Sequence, residues 1–142
     1  MSIENKALIH RWFEEVWTRG RTSAIDEMLA DDGVAHGLGD DLQGPAGFKP
    51  FHAAFRDAFP DMTIRIDDTI AEGDMIAARW TATGTHRGNG LGFAATGKPV
   101  KFEGMTFARM HGGKIVEGWN TFDQLNMLQQ LGVVTLPAPP AS

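Results

Sequence analysis

The hydrophobic pattern of this chain changes period at Pro60. Apolar residues before it recur every three or four positions, and those after it alternate. Leu8, Ile9, Trp12, Phe13, Val16 and Trp17 form one broad stripe, which predicts a core-facing helix from Asn5 to Trp17. The stretch "RTSAIDEMLADDG" predicts a second, short helix with Thr22 or Ser23 as N-cap, Ile25, Met28 and Leu29 as its apolar face and Gly33 as its stop. "VAHG" reads as a brief extended piece. A third helix carries Phe48, Phe51, Phe55 and Phe59 on one face, and Pro50 predicts an irregular opening with regular helix from near Phe48 or Lys49.

Beyond Pro60, Met62, Ile64 and Ile66 alternate with Thr63, Arg65 and Asp67. After an "EGD" turn, Ile76, Ala78, Trp80, Ala82, Gly84 and His86 share one strand face. The Gly-rich loop "RGNGLGFAATGKP" leads to a long strand over Val100 to Met110, and "HGGK" makes a hairpin into "IVEGWNTF". Helices followed by a meander of strands predict an α+β fold, with the helices packed on one face of a mainly antiparallel sheet, in a chain long enough to enclose a pocket. The domain is expected to span residues 1–134, with a loose Pro-rich tail over 135–142.

Composition removes whole classes of chemistry. Cysteine is absent, so disulfides, thiolate metal sites and a cysteine nucleophile are excluded. Serine occurs only at Ser2, Ser23 and Ser142, none of them a credible nucleophile, and there is no tyrosine. The net charge is −5 and the basic residues are scattered, which argues against a nucleic-acid partner. No apolar run approaches the roughly 20 residues that span a bilayer, and the N-terminus has no secretory pattern, so a cytoplasmic protein without membrane contact is expected. No histidine pair has ligand spacing, and "GNGLG" does not open a βαβ unit, so neither metal nor cofactor is expected.

What remains for chemistry is a small set. Asp123, at a strand-to-helix junction on the parity of Glu117 and Trp119, is a candidate general base, although Asp is also a favoured N-cap. Glu103 is a second candidate: facing inward its pKa would rise toward neutrality, and facing outward it would be an ordinary surface carboxylate. His52 shares the apolar face of the third helix, where it is either a satisfied core histidine or a ligand contact. His36 follows a short strand beside glycines and could stand at a pocket mouth or cap a loop, while His86 would sit at the rim if Trp80 faces the cavity. Trp12, Trp80, Phe102 or Phe107, and Trp119 are expected to wall one apolar cavity of several hundred Å3, with Asn120 among its substrate contacts.

The segments "NKALIHRWFEEVWTRG", "GPAGFKPFHAAFRDAFPD", "AEGDMIAARWTATGTHRG", "TGKPVKFEGMTFARMHGGKIVEGWNTFD" and "MLQQLG" cover most of the chain in order. Together they resemble the SnoaL-like polyketide cyclase, or ester cyclase, group of the nuclear-transport-factor-2-like superfamily. That resemblance implies a cone-shaped fold, in which N-terminal helices and a strongly curved, mainly antiparallel sheet enclose a pocket and Ala82, Gly84 and Gly104 would ease the bend. It also implies a metal-free intramolecular aldol cyclisation with an Asp in the last strand region as acid and base, a position matched here by Asp123. The chain departs from the family pattern at Asn120, where an acidic residue is frequent.

Two functions are compatible with these residues. One is cofactor-independent acid/base chemistry on a carbonyl compound, either aldol-type cyclisation or a related lyase or isomerase reaction. The other is a non-catalytic domain that binds a hydrophobic metabolite or dimerises. A homodimer is expected in either case, because "KFEGMTFARM" offers alternating residues of both kinds on an open sheet face.

Overall fold

The computed structural model describes residues 2–137; the end of the expected tail, 138–142, lies outside the described residues. Four helices pack against one six-stranded sheet. In chain order the elements are α1 (Ser2–Arg11), a π-helical continuation (Trp12–Thr18), α2 (Thr22–Met28), β1 (Leu29–His36), β2 (Leu42–Gln43) and α3 (Gly44–Ala58). They are followed by β3 (Thr63–Glu72), β4 (Met75–Thr85), β5 (Pro99–His111), β6 (Lys114–Phe122) and α4 (Gln124–Gln130). The strands run β2-β1-β6-β5-β4-β3 across a curved sheet that does not close. All neighbours are antiparallel except β1 and β6, which are parallel.

The first helix is not α-helical throughout, and its sequence says why. Its apolar pairs at 8/9, 12/13 and 16/17 recur every four residues, whereas an α-helix turns every 3.6 or so and would let the stripe drift. A π turn holds more residues than an α turn, so winding the second half wide cancels the drift. All six side chains are buried as a result. The wide end is sewn down by polar groups: His52 Nε2 donates to the Val16 carbonyl at 2.6 Å, Arg56 donates to the Trp17 carbonyl at 3.0 Å, and the Thr18 hydroxyl both donates to Ile64 O and accepts from Ile64 N on edge strand β3.

Three local expectations are corrected. No side chain caps α2, and Gly33, rather than stopping that helix, lies within β1, which starts at Leu29 without a loop. The third helix starts at Gly44, with Pro45 in its first turn and Pro50 inside it. Pro50 cannot bond the Ala46 carbonyl, but both residues are exposed, so the carbonyl lies on the solvent side and the helix continues.

The core forms between the helices and one face of the sheet. In β5 burial alternates strictly over all 13 residues. Val100, Phe102, Gly104, Thr106, Ala108 and Met110 point inward, because the other parity carries Lys101, Glu103, Arg109 and His111, which need water. Where β6 stops, Asp123 N donates to Glu103 O at 2.9 Å, and the Gln130 side chain exchanges two 2.8 Å hydrogen bonds with the Lys101 backbone. In that way α4 completes the ladder that β6 leaves open.

Candidate functional site

Between the helices and the inner sheet face lies a cavity of about 70 Å3. Trp12 and Trp17 from the first helix, Phe48, Phe51 and Phe55 from α3, and Trp80 and Phe102 from the sheet supply most of its wall. It is narrower than expected because these rings lean on one another, Trp12 against Phe48 at 5.2 Å and Phe51 against Phe55 at 4.9 Å. Leu38, Phe51 and Phe122 are half-buried members of this wall.

One polar run crosses this apolar wall. Trp80 Nε1 donates to Thr106 Oγ1 at 3.1 Å, the Thr106 hydroxyl donates to Asn120 Oδ1 at 2.9 Å, and Asn120 Nδ2 donates to the His36 carbonyl at 3.1 Å. The partners fix the amide's orientation, because a carbonyl can only accept and so must face the NH2 end. Asn120 carries a second N–H that meets no acceptor among the described residues. Thr106 was not anticipated. Its signal was present nonetheless: a hydroxyl on the parity of Phe102 and Ala108 is a polar group among apolar ones.

The structure places the sequence candidates in three groups. Trp12, Trp80 and Asn120 line the cavity. His52 and His86 are buried but do not. His52 is satisfied by Val16 and lies 5.0 Å from the Trp17 ring, and burial lowers its pKa, with the Val16 hydrogen bond as a smaller opposing effect. His86 anchors the base of the 87–98 loop: its Nδ1 accepts from Thr96 N at 3.0 Å, and its ring sits between Phe59 and Phe93. Its Nε2 is buried without a partner.

The third group lies outside the cavity. Asp123 is exposed and caps α4, its Oδ1 accepting from Asn126 N at 3.1 Å. Glu103 is exposed on the outer face of β5, and Phe107 shares that face. Trp119 also points outward, because a bulge at Val116 breaks the register between Arg109 and Met110. Ile115 therefore faces in, Glu117 and Trp119 face out, and Asn120 rather than Asp123 reaches the cavity. Neither carboxylate proposed as a base touches the cavity wall.

His36 also presents its ring to the outer side. Its Nε2 lies 2.7 Å from Glu117 Oε2, its Nδ1 lies 2.9 Å from Asp41 Oδ1, and the ring stacks on Trp119 at 5.5 Å. The hydrogen bond to Glu117 first, and that to Asp41 second, raise its pKa above the ordinary imidazole value.

Helices on one face of a curved, open sheet, with a cavity between them, define the nuclear-transport-factor-2 and ketosteroid-isomerase-like fold. Within that class the chain belongs to the SnoaL-like polyketide cyclase family, which it matches over residues 7–131. It is similar to IdmH of Streptomyces antibioticus, a candidate polyketide cyclase, at 30% identity and a TM-score of 0.79 over 91% of this chain and 99% of that one. A candidate polyketide cyclase of Acidithiobacillus ferrooxidans is also 30% identical, with a TM-score of 0.80 over 91% and 94% of the two chains. AclR of Streptomyces galilaeus, a candidate hydroxylase, is 28% identical with a TM-score of 0.83 over 94% and 98%. No curated protein matches the chain. Among the described residues, no helix is long and apolar enough to cross a membrane, and no cluster of three or more His, Cys, Asp or Glu side chains could hold a metal ion.

Proposed function

We propose that this protein is a small-molecule enzyme of the cyclase or isomerase kind, which binds an apolar carbonyl compound in the cavity without a cofactor. The observation that carries this reading is the Asn120 amide, oriented by Thr106 and the His36 carbonyl so that one N–H remains for a ligand oxygen. A neutral donor in apolar surroundings suits a ketone, and its hydrogen bond strengthens as charge develops on the oxygen during enolisation or carbon–carbon bond formation. The aromatic walls supply the other half, by confining a flexible chain in the conformation that closes. In an intramolecular aldol closure the proton that leaves carbon balances the one taken up by the new hydroxyl, so the reaction consumes none overall. This reading replaces general-base catalysis by Asp123 or Glu103 with carbonyl polarisation and confinement.

A second reading, a non-catalytic binder of hydrophobic metabolites, is favoured by one fact: among the described residues, no Asp, Glu, His, Lys or Arg lines the cavity. A single experiment separates the two. The probe is a short linear diketone whose ketones are spaced to close a six-membered ring, with binding followed by quenching of Trp12, Trp17 and Trp80 and closure followed by chromatography of the cyclic hydroxyketone together with the enone it gives on loss of water. The enzyme reading expects saturable quenching and accelerated closure, with the acceleration lost in Asn120→Leu. Quenching without acceleration leaves the binder, and no quenching by the diketone or its hydrocarbon analogue removes both.

We also propose that two copies pair through the outer sheet face in the cytoplasm. Ile70, Ala77, Phe107 and Trp119 are successive lateral neighbours across β3, β4, β5 and β6, and Ile70, Phe107 and Trp119 are 73%, 49% and 37% exposed. Arg79 and Arg109 flank this row together with Asp68, Glu103 and Glu117, so the face carries both signs of charge and can complement itself about a two-fold axis.

A further inference from the structure

The cavity as it stands is several-fold smaller than the roughly 300–1,000 Å3 of ordinary ligand sites, so something must open for a ligand to pass. The connection between β1 and β2 is held on both sides of the sheet. On the inner side Asn120 Nδ2 holds the His36 carbonyl, and Leu38 forms part of the cavity wall. Gly37 passes so close to β6 that a Cβ there would fall 1.8 Å from Asn120 O, and its φ of +87° suits glycine alone. On the outer side the His36 ring is bonded to Glu117 of β6 and to Asp41 of the connection itself.

Two carboxylates can each accept but not donate, so both bonds form together only when both ring nitrogens carry protons. The resulting charge faces Glu117 from β6, Asp41 from the connection and the uncharged ring of Trp119; Arg109 of β5, which pairs with Glu117 in register, has its guanidinium directed to Asp74. Stacking of a cation on an indole within roughly 6 Å adds to the hold.

We propose that His36 is a latch on the cavity: its imidazolium joins Asp41 to Glu117 and thereby keeps the connection over the cavity, and loss of one ring proton frees the connection and lets Leu38 withdraw. A neutral ring has one N–H and keeps one carboxylate. When the retained partner is Glu117, Asp41 and the residues before it are released. The raised pKa sets the direction: the latch is closed up to the ordinary imidazole value and opens on its alkaline side. The same motion loosens the His36 carbonyl from Asn120, so His36 acts on the ligand site as a positioning residue. This inference rests on the reading of the cavity as a ligand site.

The test uses the full chain, titrated from mildly acidic to alkaline pH and followed by NMR. It reads the protonation of both His36 nitrogens and the amide exchange of residues 37–43, corrected for the intrinsic rate. The expected result is a ring that loses its second proton on the alkaline side of the ordinary imidazole value, with exchange of that segment rising roughly tenfold or more as the proton leaves. Asp41→Asn, at an exposed position that does not endanger folding, should move both events to lower pH together. Exchange that ignores the His36 titration, or a ring that is already singly protonated below the ordinary imidazole value, overturns the latch. Neither readout needs a ligand, so failure here leaves the diketone result standing, whereas failure of the diketone and its hydrocarbon analogue to bind removes the ligand site and leaves only the His36-linked motion of the connection.

Discussion

Trp80 occupies the space that a side chain at Gly104 would need: the two residues face each other across β4 and β5, and a Cβ on Gly104 would fall 2.3 Å from Trp80 Cζ2. Gly104 therefore does more than ease the curvature of the sheet. Because Trp80 Nε1 anchors Thr106, displacing the indole also disturbs the polar run that orients Asn120. Gly104→Ala is expected to cost about 1–3 kcal/mol through overpacking. Calorimetry should show a lowered melting temperature, and the diketone titration should show weakened quenching.

Asp123 caps α4, and its variants should behave as cap variants. Asp123→Asn keeps an acceptor for Asn126 N and should leave the melting temperature and diketone closure unchanged. Asp123→Ala should lose about 0.5–2 kcal/mol of stability, again with unchanged closure per folded molecule. A large fall in closure with Asp123→Asn alone would return the general base to this residue.

The two best-defined histidines oppose one another in pH. For His36 the folded pKa is raised, so its contribution to stability is complete below the unfolded value of about 6.5 and is lost as pH rises through the folded pKa. For His52 the folded pKa is lowered, chiefly by burial, so its contribution is present above the unfolded value and is lost as pH falls toward the folded one. A melting-temperature profile should therefore decline on both sides of neutrality. Asp41→Asn should flatten the alkaline limb and His52→Gln the acid limb; a variant that leaves its limb unchanged assigns that limb elsewhere.

Phe107→Glu places a charge in the centre of the exposed outer row. Light scattering should show a dimer for the parent chain and a monomer for the variant, with little change in melting temperature measured at low protein concentration. A monomeric parent chain at micromolar concentration would remove the pairing.

Periodicity carried the elements but not which way they face. The helices and the four long strands are set by spacings of three to four and of two, which are local properties of the chain. The inward face of β6 is not, because the bulge at Val116 is settled by pairing with β5 and shifts every later residue to the opposite side. Asn120 thus reaches the cavity, and Trp119 and Asp123 do not. In β5 the sequence reading left the parity open between Phe102 and Phe107; Lys101, Arg109 and His111, which need water, settle it by outweighing Met105 and Phe107. The carboxylate partners of His36 could not be read: Asp41 is only five residues away, but Glu117 is 81 residues away on a strand whose parallel pairing with β1 leaves no local mark.

The π-helical segment also constrains how this chain can vary. A one-residue deletion between Trp12 and Thr18 would let the segment rewind as ordinary α-helix, which closes the backbone without a break. The residues before the deletion would then turn by about 100° relative to the residues after it, since an α-helix advances by one residue in about 3.6 per turn. Leu8 and Ile9, now buried at 6% and 1% exposure, would swing toward solvent while Trp17 stayed in place. Related chains should therefore change residue types in this stretch more readily than its length, and a shortened version should survive only where the apolar pairs before it have moved one place along the sequence.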